Sequence, residues 1–420
     1  PPHPLGAPAP FASPSTSPSP AASASPSPTP LAAEKPPPRR IDVQTERRDG
    51  GVPLDAWHDS FDLKWLRTRY YVGGFGYGEA TASGGSMQSR GEFITSSILT
   101  GATAQQQQGG AAFTVNHSRL LLESRTDLGN RQLKLSTAFD AYGDANSLSP
   151  HVRVRSAFAE VDNVFFEGGL LAGQTWSAIS DLEAFPEVLD PEGPNSFYGL
   201  RRMQVRWTRA TSPNMTLLLS VEQPDKHIIQ QAVSREGRPD VVLALAWDRD
   251  PVRLYGSVTS RQLVGSSGNV QCQANGWGVS ASTKVGLRVG KHTDYVVLSG
   301  TYGSGIGSNL QDSPADAILV GDTSGWRLLP LCSYGGYTGY QHFWSKEFNS
   351  TISHGTLIAD NQIWQPGNSF RRTDYTTLNL VWQPTHRLTL GVEGQWGYRK
   401  DFSGASGHAS RLQFTTGIKF

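Results

Sequence analysis

The stretch RLQFTTGIKF, residues 411–420, alternates without a break. Leu412, Phe414, Thr416, Ile418 and Phe420 share one parity, and Arg411, Gln413, Thr415, Gly417 and Lys419 share the other. A period of two is the strand period, with one apolar and one polar face. An ordinary edge strand would not carry an apolar aromatic last, where chains fray. In a closed barrel the last strand pairs with the first and has no free edge. Phe420 is therefore expected inside a wall, at a lipid interface.

The same alternation recurs upstream. RLTLGVEGQWGYR (387–399) sets Leu388, Leu390, Val392 and Trp396 against Arg387, Thr389, Glu393 and Gln395. WGVSASTKVGLRV (277–289) sets Trp277, Val279, Val285 and Leu287 against Ser280, Lys284 and Arg288. VRLYGSVTSR (252–261), RMQVRWT (202–208) and VVLALAW (241–247) follow the same rule. Each is close to the roughly 9–11 residues that cross a bilayer as a tilted strand. No apolar run approaches the roughly 18 residues of a membrane helix.

Turn residues punctuate these segments on an alternating plan. Short turns fall at 126–130, 162–164, 211–214, 248–251, 290–294, 345–348 and 383–386. Long polar loops fall near 79–112, 141–150, 175–199, 223–239, 262–276, 304–333, 359–372 and 400–409. Fifteen connections imply sixteen strands, an even number, with loops sorted by length onto two sides. A soluble sandwich also alternates but does not sort its loops in this way. The predicted fold is all-β, a transmembrane antiparallel barrel of 16 strands over residues 51–420.

Residues 1–50 read differently. They hold more than half of the 27 prolines, spaced by Ala and Ser, and are predicted to form a disordered linker. A spacer toward the cell wall is the functional alternative. The opening PPHPLGAPAP carries no secretory pattern, which leaves a cytosolic chain or one numbered after a cleaved signal. A net charge of +1 implies no nucleic-acid partner. Neither a zinc spacing nor a cofactor motif is present, and no metal or cofactor is expected. Cys272 and Cys332 fall in predicted outer loops, where a disulfide or two free thiols are both possible.

Lipid forces the apolar parity outward, so the polar parity lines the interior, which is wide enough in 16 strands for water. The predicted pore-lining basic wall comprises Arg119, Arg153, Arg155, Arg202, Arg206, Arg253, Lys284 and Arg288. Inward acids are fewer: Glu123, Asp140, Glu222 and Glu393. An excess of fixed positive charge favours anion passage. The alternative is that the arginines brace the wall by pairing with loop carboxylates. His117 also faces the lumen by parity, near Arg119.

The third long loop, GQTWSAISDLEAFPEVLDPEGPNS (173–196), carries Asp181, Glu183, Glu187, Asp190, Glu192 and Asn195. Folded inward, it would narrow the barrel and oppose its acids to the wall arginines. No nucleophile or metal motif accompanies these carboxylates, so they specify no reaction.

GQTWS at a strand end, EAFPEVLDPEGPN in the loop, RMQVRWT opening the next strand and the late YGGYTGYQHFW (334–344) together resemble the DcaP-like porins. The resemblance spans roughly residues 65–420. It implies a sixteen-stranded, trimeric diffusion channel of the bacterial outer membrane, embedded among lipid and lipopolysaccharide. It implies small anionic solutes such as dicarboxylates. Gly173 to Ser177 and Asp190 to Asn195 would shape the constriction, faced by Arg153, Arg155, Arg202 and Arg206. The proline-rich tail, placed in the periplasm, departs from the helical extension common in relatives, so the barrels themselves would hold a homotrimer. The terminal Phe420 is similar to the last residue of bacterial outer-membrane proteins, which implies recognition by the barrel assembly machinery.

Other barrel classes fit less well. An outer-membrane enzyme such as a phospholipase needs a nucleophile or acid pair, and no Ser/His/Asn or Asp/His grouping stands out. An energised receptor needs a folded plug before the barrel. An export barrel needs an amphipathic helix near 40–66, where VPLDAWHDSFDLKWLRTRY (52–70) has mixed spacing. The resulting reading is a non-enzymatic, passive porin.

Overall fold

The structure, a computed structural model, describes residues 61–63, 67–85, 87–89, 91–101, 109–143, 148–224, 229–323 and 325–420. The linker expected over residues 1–50 lies outside them. Among the described residues sixteen antiparallel strands form the wall. The first five are β1 (Thr68–Gly85), β2 (Arg119–Asp127), β3 (Gln132–Asp140), β4 (Arg153–Val164) and β5 (Gly168–Trp176). Then come β6 (Arg201–Ser212), β7 (Met215–Glu222), β8 (Asp240–Arg249), β9 (Val252–Ser267), β10 (Val270–Val289) and β11 (His292–Ser304). The last are β12 (Cys332–Phe343), β13 (Phe348–Ala359), β14 (Phe370–Thr385), β15 (Leu388–Asp401) and β16 (Ser406–Lys419).

Each strand pairs with its neighbours in sequence, and β16 returns to β1 from Phe75↔Lys419 to Gly85↔Ala409. The Phe420 N–H donates to the Gly74 carbonyl at 3.0 Å, and the Gly74 N–H donates back at 3.1 Å. Closure satisfies backbone groups that lipid could not. Phe420 itself is exposed on the outer surface at this seam.

Side-chain parity follows the medium on each side. Leu243, Val279, Leu298, Ile352, Leu378 and Phe414 are exposed on the outer wall, where hydrocarbon is the solvent. Their inward neighbours Thr259, Thr377, Gln395 and Gln413 are buried and polar. In β12 and β13, Tyr340 and Ile352 point outward and Tyr337 and Ser353 inward.

The seven short connections have two to four residues each and six of them overlap the predicted turns, but the second falls at 165–167 because β4 runs through the expected turn 162–164. Three of the eight long connections differ from expectation, the first because β1 stays in its ladder with β16 to Gly85, through residues 79–85 expected as loop. The ladder of β9 and β10 continues past Arg261↔Gly276 to Ser267↔Val270, through the stretch expected as loop 262–276. Gly268, at φ +56°, and Asn269 close it as a two-residue hairpin, the connection whose twist suits extended strands. Likewise only residues 402–405 join β15 to β16.

This extension settles the cysteines. Cys272 lies in the ladder of β10, opposite Gly265, while Cys332 starts β12 opposite Ser304. Ser304 in turn pairs with Trp277. Cys272 is therefore displaced from Cys332 by five residues along the strand, roughly 17 Å at the usual rise. A disulfide tolerates about 7 Å between Cα atoms. Both cysteines are free thiols, which corrects the bridge held open above.

The core sits inside the barrel. Val242, Ala244 and Ala246 form the inner face of β8, and they pack with Ala178 and Ile179 of the third loop and Ile306 and Leu310 of the sixth. A strand apolar on both faces has no wet side, and VVLALAW carries that signal.

Candidate functional site: a charged gap beside the third loop

The third loop, residues 177–200 between β5 and β6, is fastened along the inner wall. At its start the Ala178 N–H donates to Glu222 Oε1 at 2.9 Å, and Tyr255 Oη donates to the Ala178 carbonyl at 2.5 Å. At its far end Asn195 Nδ2 donates to Thr373 Oγ1 at 2.8 Å. Between them the Leu189 and Asp190 N–H groups donate to Glu393 at 2.7 and 3.0 Å. Asn379 Nδ2 donates to the Glu187 carbonyl at 2.8 Å. Inward glycines make room: a Cβ on Gly391 would lie 2.5 Å from Leu189, and one on Gly355 2.5 Å from Asn195. Phe185 and Phe197 pack edge to face at 5.2 Å and hold the loop compact.

The loop acids part company. Asp181 pairs with Arg253 at 3.0 Å and accepts from Ser282 Oγ at 2.6 Å. Asp190 is buried, accepts from Tyr375 Oη at 3.0 Å, and does not meet a wall arginine through any described hydrogen bond. Burial, then the Glu393 charge beside it, push its carboxyl well above the usual range. Glu192 is also driven well up, by burial and then by Glu92 and Asp312. Glu183 and Glu187 line an open section of about 240 Å³.

Asp190 and the wall-side residues Phe75 and Tyr77 of β1, His117, Arg119 of β2, Arg155 of β4 and Lys284 of β10 line the same section. The Arg119 guanidinium lies over the Phe75 ring at 4.9 Å, and Lys284 lies over Tyr295 at 4.6 Å. Arg155 is also joined to Asp140 at 3.1 Å. Loop acids and wall cations thus line one gap together.

The other predicted wall residues are placed elsewhere. Arg153 is bound to Asp140 at 2.7 Å. Arg202 is buried, pairs with Asp240 at 2.9 Å and reaches Asn309. Arg206 donates to the Trp176 carbonyl at 3.3 Å. Arg253 also reaches Asp248 at 2.7 Å. Arg288 is exposed near the short-turn end, opposite Thr293. Most of the predicted wall arginines thus brace, while Arg119, Arg155 and Lys284 also line the section beside Glu183 and Glu187.

Sequence reasoning missed two further loops. The sixth, residues 305–331, runs alongside the third: the Gly199 N–H donates to Asn309 O at 2.7 Å and the Gln311 N–H to Phe197 O at 2.9 Å. Arg261, fully buried, ties it to the wall through Asp240 at 3.0 Å and Asp316 at 3.1 Å. The first loop also turns inward, with Phe93 and Ile98 fully buried against Tyr375 and Ala409. Its signal was EFITSSIL (92–99), apolar residues in an otherwise polar loop. Asp312 joins the two, accepting from Thr95 N–H at 2.7 Å and Thr95 Oγ1 at 2.5 Å. Burial pushes its carboxyl up to about 6, against the pull of those hydrogen bonds.

Comparisons agree with this architecture. The outer membrane channel DcaP of Acinetobacter baumannii superposes with a TM-score of 0.74 at 19% identity, over 86% of this chain and 99% of that one. The anion-selective porin from Comamonas acidovorans gives 0.54 at 10% identity, over 84% and 100%. In-vitro folded OmpT of Vibrio cholerae gives 0.52 at 8%, over 85% and 99%. These likenesses concern the fold. No curated protein matches the sequence. The family model for the DcaP outer membrane protein matches residues 104–420, which is most of the chain. This chain belongs to the DcaP outer membrane protein family, and its closed barrel is that of an outer-membrane porin.

Proposed function

We propose that the protein is a passive diffusion channel that prefers small anionic solutes, dicarboxylates among them. The observation that carries this reading is the gap lined together by Arg119, Arg155 and Lys284 and by Glu183 and Glu187. Solutes cross by electrodiffusion, and the third loop sets the narrowest point. The guanidinium side concentrates anions, and the loop carboxylates orient a solute that carries charge at two ends. A structural neighbour is itself described as an anion-selective porin.

The reading extends to assembly. The barrels associate as a homotrimer, Phe420 serves the barrel assembly machinery, and residues 1–50 lie in the periplasm. Supporting the last point, β1 enters the wall at Thr68, opposite Thr126, at the end of the barrel that carries the short turns.

The test is the zero-current potential of the purified protein in a planar bilayer under a potassium chloride gradient. Stepwise conductance with chloride preference is the expected result, followed by competition from dicarboxylates. Potassium preference would give control of the gap to Glu183 and Glu187 and overturn the anion reading.

A further inference from the structure

His117 lines the gap, and the proposed function gives it no part. Its position comes from a break in the wall. Residues 111–114 pair with the upper part of β1, with Thr114 opposite Glu79, while Arg119 opens the lower ladder opposite Phe75. Residues 115–118 thus stand against residues 76–78, one residue too many. The Ser118 N–H donates to Val115 O at 2.9 Å, and Ser118 Oγ accepts from the Tyr77 N–H at 2.9 Å. Such a bulge re-aims a side chain at the cost of ladder bonds. Here Asn116 becomes fully buried and His117 turns to the gap.

The ring is held in one orientation. It stacks on Tyr77 with centroids 4.7 Å apart and meets Phe75 edge-on at 6.3 Å. Tyr142 lies edge-on from the second loop at 6.2 Å. Nδ1 lies 3.2 Å from Glu79 Oε1, a carboxylate that also accepts from Gln413 at 3.1 Å. Nε2 has no hydrogen-bond partner among the described residues. The charged groups that share the gap with the ring are Arg119 of β2, Arg155 of β4, Lys284 of β10, and Glu183, Glu187 and Asp190 of the third loop, with Glu79 of β1 at Nδ1 and the phenols of Tyr77 and Tyr142 against the ring.

We propose that His117 is a pH-responsive selectivity residue of the constriction. This rests on the anion-preferring gap proposed above. Protonated, its imidazole adds a positive charge beside Arg119, with Nδ1 directed at Glu79. Neutral, it leaves the balance to the arginines and to Glu183 and Glu187. Imidazole is the side chain whose ordinary titration falls between about pH 5 and 8. One added charge some 7 Å from a passing ion, in water-like dielectric, changes the local anion concentration about two- to threefold. Acidification therefore strengthens anion preference in this window.

The experiment measures zero-current potentials at pH 8 and pH 5 for the full chain, His117→Gln and His117→Lys, under one potassium chloride gradient. The wild-type chloride-over-potassium permeability ratio is expected to rise about twofold on acidification. The Gln variant shows no rise, and the Lys variant stays high at both pH values. Buried carboxyls such as Asp312 also respond to pH, so the variants and not the scan identify the source. A Gln variant that keeps the full wild-type rise overturns the proposal. A wild type without chloride preference at pH 8 overturns only the anion reading, and a rise abolished in the Gln variant still supports His117. Two variants of different size keep the test available if one fails to insert.

Discussion

Glu393 holds the third loop from the opposite wall: its carboxylate accepts the Leu189 N–H at 2.7 Å and the Asp190 N–H at 3.0 Å. The residues are separated by some two hundred positions in sequence, yet one wall side chain satisfies two backbone donors of a turn that no ladder covers. The same carboxylate accepts Asn379 Nδ2 at 3.0 Å, so β14 and β15 grip the loop together.

Glu393→Ala should loosen that grip. Unpaired donors at a buried site cost about 1–3 kcal/mol. We expect a fall of about 2 kcal/mol in unfolding free energy, and a larger, noisier single-channel conductance as the loop leaves the wall. Denaturant titration in detergent micelles and bilayer recording read the two effects. An unchanged conductance would mean the loop is held well enough by Asn195 and Ala178.

Reversing charge in the gap and reversing it in the brace should separate. Arg119→Glu with Arg155→Glu is expected to lower the chloride-over-potassium ratio about threefold or more while the barrel still assembles. Arg202→Glu would instead set a second buried acid beside Asp240 and prevent assembly, because Arg202 is enclosed and paired at 2.9 Å. Assembly is followed by resistance of the barrel to unfolding in cold detergent.

The contact between the first and sixth loops should depend on pH. The Asp312 carboxyl, raised to about 6 by burial, binds a proton more tightly in the packed state than when released. The contact is then fully stabilised below about pH 4 and weakens as pH rises through about 6. Hydrogen exchange at residues 93–98 should be slow at pH 5 and, after correction for the intrinsic rate, faster at pH 8. Asp312→Asn should remove the dependence. Faster corrected exchange at acid pH would show the opposite sign and defeat the account.

Asp316→Ala should release the sixth loop from the wall. Removing one partner of a buried pair costs about 3–5 kcal/mol. The lower end is expected here, since Asp240 still holds Arg261 at 3.0 Å. Asp240→Ala should cost more, because both Arg202 and Arg261 then lose a partner. The order of the two unfolding midpoints is the measurement.

Much of this was legible before any coordinates. The wall was readable because period-two alternation admits no other assignment when one face meets hydrocarbon, as in Leu388 to Tyr398. The short turns were readable because Asp, Asn, Gly and Pro have few alternatives there. The fifth outer connection misled because GSSGNVQCQAN has the composition of a loop, while Gly268 and Asn269 alone suffice to turn the chain. The bridge between Cys272 and Cys332 failed for the same reason. Of the basic wall, parity gave the direction of each side chain but not its partner.

By itself the sequence determined the closed barrel and its strand number. Those follow from a local rule, the alternation that lipid imposes on each strand separately. Tertiary structure alone decided which charges meet water. Arg202 and Arg261 are consumed by Asp240 and Asp316, whereas Arg119, Arg155, Lys284, Glu183, Glu187 and Asp190 are brought together around one gap. That division depends on three loops packing together inside the lumen. Such packing couples residues hundreds of positions apart, through distances and burial that no local pattern encodes.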